Sequence, residues 1–207
     1  MPERTLAVGV LASGAGTNLQ ALIDRAQGRD GVRIVAVGSD RPDAPALERA
    51  RRAGIEVRPF PVSEFGSRAA RDAEIAAWLR GRGVDLVVLA GYMQLLSESF
   101  LDSFPGRVIN IHPALLPAFP GLRAIQQAID HGVRVIGASV FFVDAGVDTG
   151  PLILQRAIEL PDGIDAGGAC DLLAPIEHDL LVEAVRLIAA GAVSIDPLNP
   201  RRVVISR

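Results

Sequence analysis

The 207 residues are 49% hydrophobic and 22% charged, with a mean hydropathy of +0.31; a chain of this make-up buries roughly 70% of its unfolded surface and is not disordered. The formal charge is −3 with no run of five like charges, so neither nucleic acid nor an anionic membrane is indicated as a general partner. All 21 cations are arginine and Cys170 is the one cysteine, which excludes Walker A and kinase lysines, Schiff-base enzymes, intrachain disulfides, multi-cysteine zinc sites and iron–sulfur clusters, and suits a reducing cytoplasm.

From the amino terminus, residues 6–12 form an apolar stretch interrupted by Gly9, too short for a signal peptide or a membrane span. The density of 6–11 predicts a first strand covered on both faces. After Ser13-Gly14-Ala15-Gly16, the spacing Leu19, Leu22, Ile23, Ala26 is the apolar stripe of a helix closed near Gly28. A strand over 33–38, a helix over 44–53, a short strand over 55–59, a helix over 66–79 and a strand over 84–90 follow. These repeated units predict an α/β fold: a Rossmann-like, doubly wound, mostly parallel sheet with helices on both faces and right-handed crossovers. The pattern continues with a short helix near 97–101, a strand over 107–111, a Pro-rich loop, a helix over 122–130, strands near 133–143 and 151–158, and a long helix over 168–190. Alternation in Val193-Ser194-Ile195 and Val203-Val204-Ile205 reads the tail, 191–207, as a closing hairpin or an edge addition. No repeat or linker divides the chain, so a single domain is expected.

Three places on this framework carry candidate chemistry. The turn Ser13-Gly14-Ala15-Gly16-Thr17-Asn18 reads as an anion cradle, because glycine permits close backbone approach and the free N–H groups of the next helix favour a phosphate. A nicotinamide site would want glycine where Leu19 stands, although Asp40 lies near the place of a ribose-binding acid; a tight turn that binds nothing is the third reading. In the second place, Asn110 and His112 are two apart on a predicted strand and leave the same face. At the carboxyl end of a parallel strand they can hold and protonate an oxyanion, whereas the bland alternative has Asn110 capping the strand and His112 bonding loop carbonyls. The third place is the loop from Val143 to Pro151. Spacing alone favours solvated carboxylates there; Asp148 aimed at His112 would instead make an acid–base pair. His131 at a helix end and His178 mid-helix sit in ordinary contexts, and no metal site is expected.

Together Leu11-Ala-Ser-Gly-Ala-Gly-Thr-Asn-Leu-Gln20, Leu89-Ala-Gly-Tyr-Met-Gln-Leu-Leu96, Asn110-Ile-His-Pro-Ala-Leu-Leu-Pro117 with Phe119-Pro-Gly121, and Asp148-Thr-Gly-Pro151 with Gln155 carry a resemblance over nearly the whole chain. The sequence resembles the folate-dependent formyltransferases, and among them the phosphoribosylglycinamide formyltransferases. The resemblance implies formyl transfer from 10-formyltetrahydrofolate to the amine of glycinamide ribonucleotide in purine synthesis. It implies direct attack through a tetrahedral intermediate served by Asn110, His112 and Asp148, with no metal and no covalent enzyme intermediate. Gly16, Thr17 and Asn18 would take the ribonucleotide phosphate, and Glu177 would contact the acceptor; Glu177 also borders the apolar face of Leu173, Leu180 and Leu181, an unusual place for a solvated charge. Arg68, Met93, Gln94, Leu95, Leu96 and Asn110, with Asp144, Ala145, Gly146 and Val147, would form the folate site.

The resemblance further implies one formyltransferase domain with a phosphate-binding half, 1–90, a catalytic and folate half, 91–190, and the tail. It implies a cytoplasmic protein with small-molecule partners, without nucleic acid or membrane, and is compatible with a homodimer. Phe141, Ala114 and Ala174 stand where many members carry histidine, serine and a polar residue, and Arg123 and Ile125 also depart from the common pattern. Formyltetrahydrofolate deformylases share the three catalytic residues behind an added amino-terminal domain, and methionyl-tRNA formyltransferases add an RNA-binding barrel that the short tail and net charge argue against. A deformylase-like hydrolase and a non-catalytic nucleotide-binding module are therefore the alternative functions.

Overall fold

The computed structural model of the chain describes residues 5–206. Contacts divide it into two compact units, Met1–Asn110 and Ile111–Arg207.

The first unit alternates strands and helices: β1 (Leu6–Leu11), α1 (Thr17–Arg25), β2 (Val32–Ser39), α2 (Pro45–Arg52), β3 (Glu56–Pro59), α3 (Arg68–Arg80), β4 (Leu86–Leu89), α4 (Glu98–Ser103) and the start of β5 (Val108–His112). Its strands are all parallel in the order β3-β2-β1-β4-β5. Nearly every residue of β1 and β4 is buried, the signature of strands covered on both faces. Phe60 and Trp78 meet edge to face at 5.4 Å beside them. The strand expected over 84–90 is Leu86–Leu89; it starts later because Val84 N still bonds Leu79 O and closes the turn after α3, while the bond from Ala90 N to Leu11 O carries the pairing with β1 to its end.

The second unit holds α5 (Ala124–His131), β6 (Val135–Phe142), β7 (Leu152–Glu159), α6 (Ala166–Ala189) and the strands β8 (Val193–Asp196) and β9 (Asn199–Ile205). β6 and β7 pair antiparallel, so the seven-stranded sheet is mostly parallel. α6 packs on β6, β7 and α5 through Ala169, Leu173, Leu180, Leu181 and Val185. Its amino end is capped by Asp165, whose carboxylate accepts from Gly168 N at 2.8 Å. The tail is a hairpin forming its own two-stranded sheet. The helix expected from residue 122 begins at Ala124, because Arg123 is left-handed with φ 61°. No helix among the described residues is long and apolar enough to cross a membrane.

Candidate active site

β1 delivers the chain into the turn 13–16, where Gly16, with φ 71° and ψ 33°, starts α1. A Cβ there would sit 2.7 Å from Ala46 Cβ and 2.8 Å from Ala46 Cα, so this position needs glycine for conformation and for space. The turn's carbonyls are tied back: Ala46 N donates to Gly14 O at 3.2 Å, the Arg49 guanidinium to Ala15 O at 2.8 Å, and Gln20 N to Gly16 O at 2.9 Å. What remains facing the turn is the amino end of α1, whose first turn carries no acidic residue. Thr17 is exposed and Asn18 half-buried at that end. Arg49 goes unread in the sequence, and Ser13 is read there only as part of the turn. Ser13 is buried, and its hydroxyl accepts from Met93 N at 2.8 Å, joining this turn to the segment 93–96.

β5 carries Asn110, half-buried, and His112, buried. His112 Nε2 lies 2.9 Å from Phe119 O, and since a carbonyl only accepts, that nitrogen carries the hydrogen. Nδ1 lies 3.4 Å from Asp148 Oδ2, so a second ring proton turns this contact into an ion pair within a largely buried setting. The same Asp148 oxygen accepts from Gly121 N at 2.8 Å. Thus the structure brings Asp148 to His112 rather than leaving it as a solvated loop carboxylate. Phe119, Arg123 and Asp148 all hold positive φ, of 52°, 61° and 54°, and such strain in non-glycine residues concentrates at functional loops. Behind them the buried Ser139 accepts from Leu116 N and donates to Ala114 O, and Gln155 Nε2 donates to Leu116 O, fixing the loop 114–116 that follows His112.

The remaining expected positions fall as follows. Arg68 is exposed at the first turn of α3. Met93 and Leu95 project outward at 60% and 56% exposure, Leu96 is half-buried, and Gln94 turns inward. Asp144 caps its own loop, accepting from Gly146 N and Thr149 Oγ1, with Ala145, Gly146 and Val147 exposed. Glu177 is half-buried on α6, where its charge, after burial itself, helps push the Cys170 thiol up. Asp40, weighed as a ribose-binding acid, instead accepts from Gln94 Nε2 at 3.0 Å. Among the described residues no group of three or more His, Cys, Asp or Glu is gathered as a metal would require.

An imidazole at the carboxyl end of β5 paired with a loop carboxylate is an acid–base arrangement on an α/β fold. The family model for formyl transferases matches residues 6–185, and the chain belongs to the formyl transferase family. Over 94% of its length it is 42% identical to the phosphoribosylglycinamide formyltransferase of Mycobacterium tuberculosis strain H37Rv, of which it covers 90%. Its structure is similar to that of glycinamide ribonucleotide transformylase 1 from Symbiobacterium toebii, with a TM-score of 0.95 and 47% identity over 100% of this chain and 96% of that one. A formyltetrahydrofolate deformylase from Pseudomonas syringae shares the fold, with a TM-score of 0.89 at 24% identity over 99% of this chain and 67% of that one.

Proposed function

We propose that the chain transfers the formyl group of 10-formyltetrahydrofolate to the amine of glycinamide ribonucleotide, in the cytoplasm and as a step of purine synthesis. The observation that carries this reading is the His112–Asp148 pair beside Asn110 at the carboxyl end of β5. The register supports it: Leu11 pairs with Leu89 and Leu89 with Asn110, so the phosphate turn and Asn110 leave the same sheet edge two strands, or ~10 Å, apart. That spacing suits an acceptor with phosphate at one end and amine at the other.

The formyl folate supplies an activated carbonyl carbon, and the acceptor's own amine is the nucleophile, so the absence of lysine is no obstacle. Asn110 donates its amide N–H to the carbonyl oxygen as negative charge gathers there. His112, oriented by Phe119 O on one nitrogen and Asp148 on the other, places positive charge beside the same oxygen. Asp148 holds the imidazole and, through water, takes the proton the amine must lose; that proton passes to N10 of the folate as its bond to the formyl carbon breaks and tetrahydrofolate leaves. Gly16, Thr17 and Asn18 bind the acceptor's phosphate and Glu177 contacts its other end. The exposed Met93 and Leu95 offer an apolar edge that fits a flat heteroaromatic donor, Arg68 pairs with the donor's anionic tail, and the loop 144–147 completes the site.

The test is tetrahydrofolate release from 10-formyltetrahydrofolate with and without glycinamide ribonucleotide. Release that depends on the acceptor is expected. Release without it means hydrolysis, and none in either condition, from folded protein, leaves a binding module.

A further inference from the structure

Beneath the exposed edge of Met93 and Leu95, the first unit buries charges that none of the roles above uses. Arg71 and Asp72, neighbours on α3, are 2% and 0% exposed. Arg71 Nε and Nη2 donate to Asp72 Oδ1 at 3.1 and 2.9 Å, and Nη1 donates to Gln94 Oε1 at 3.1 Å. Gln94 Nε2 donates in turn to Asp40 Oδ2 at 3.0 Å, and Asp72 Oδ2 accepts from Ser97 N at 2.7 Å. Burial raises the Tyr92 phenol well above its usual range, and the charges of Arg71, Asp40 and Asp72 act on it too, which gathers all three around that side chain.

A buried ion pair is a weak source of stability, since apolar residues of similar volume often do as well. What this one does is geometric. An arginine donor on its oxygen and a carboxylate acceptor on its nitrogen leave the Gln94 amide a single orientation. With Gln94 held inward, Met93 and Leu95 on either side of it stay exposed. The segment is clamped at its start by Ser13, in its middle by Asp40 and Arg71 through Gln94, and at its end by Asp72.

We propose that Asp40, Arg71 and Asp72 are positioning residues for the formyl donor: through Gln94 and Ser97 they fix the edge of Met93 and Leu95 against which the pterin ring rests. This rests on the reading above that the edge takes the folate. None of the three touches the donor, and a loose edge weakens donor binding by making that binding order the segment first.

Removing Arg71 strands Asp72 in the interior, so Asp40 is the place to test. Equilibrium binding of tetrahydrofolate, with KM for both substrates, is measured on the whole chain as wild type, Asp40→Ala and Asp40→Asn, thermal unfolding reporting the fold. Asp40→Ala is expected to raise Kd for tetrahydrofolate and KM for the formyl donor about tenfold, or ~1.4 kcal/mol, leaving kcat and the acceptor KM within about twofold. Asp40→Asn keeps an acceptor for Gln94 and is expected to stay within about twofold of wild type throughout. The proposal is overturned if a folded Asp40→Ala binds tetrahydrofolate like wild type, if both substrates weaken equally, or if Asn fails as Ala does. It is equally overturned if Asp40→Ala does not fold, since the network is then structural. Wild-type protein that does not bind tetrahydrofolate would instead bring down the functional reading itself.

Discussion

The turn at 13–16 and the loops around His112 both use left-handed backbone, but they use it differently. In the turn the left-handed residue is Gly16, which adopts φ 71° without steric penalty and leaves room for Ala46. Around His112 the left-handed residues are Gly121, with φ 81°, and three others, Phe119, Arg123 and Asp148, each a side chain held where a glycine would be easier. On the proposed reading the turn works through backbone N–H groups, so a side chain only obstructs. On the same reading the histidine centre works through side chains and a carbonyl, and the chain accepts strain on the order of 1 kcal/mol at each such residue to aim them. A backbone site tolerates few shapes but many chemistries in its neighbours; a side-chain site is the reverse.

Substitutions can break this contrast, and the largest effect belongs to the side-chain site. His112→Ala is expected to lower kcat by about 10³-fold, with the melting temperature little changed and the acceptor KM within a few fold, read from steady-state kinetics. Asp148→Asn keeps an oxygen for Gly121 N but loses the charge beside the imidazole, and we expect about 10²-fold in kcat. A His112→Ala enzyme at full turnover would remove the catalytic reading of β5.

The turn should answer in binding and stability instead. Gly16→Ala forces a Cβ onto Ala46 at a left-handed φ and is expected to destabilise by ~2 kcal/mol, roughly 4–8 °C in Tm, while raising the acceptor KM. Gly14→Ala meets nothing within 4 Å at an ordinary φ and should stay within ~1 kcal/mol of wild type; an equal loss at both glycines in calorimetry would erase the distinction. The smallest effect concerns α6. Burial, then the charges of Glu177 and Asp171, raise the Cys170 thiol, so less thiolate is present at a given pH and alkylation at pH 8 should run slower than for a free thiol. Glu177→Gln should speed it modestly, and an unchanged rate would place the Glu177 charge away from this face.

The sequence by itself determined the order of elements and the turn at 13–16. Apolar density in β1 and β4 needs only neighbours along the chain to be read, and the turn's parts are contiguous: its strand, its glycine and the helix whose N–H groups it exposes. Asn110 and His112 were legible together for the same reason, since a strand sends alternate residues to one face. Their partners were not. Asp148 lies 36 positions from His112, and whether it reaches the ring depends on how the strained loops at Phe119 and Asp148 close, which spacing alone read the other way. A loop carbonyl on His112 was one of the readings the sequence offered, but not which one; that choice of Phe119 O, the Arg49 bond to Ala15 O and the Asp40–Gln94–Arg71 chain belong to the same class, since each joins residues distant in sequence or uses a backbone atom that every residue possesses. One of them did leave a trace, because Arg71 and Asp72 share helix faces with Ile75, Trp78 and Leu79, where charge is out of place unless it is paired. Local periodicity fixes which face a residue takes; only the packed tertiary structure decides which distant group meets it there, because that choice is made by the whole set of burials and bonds at once.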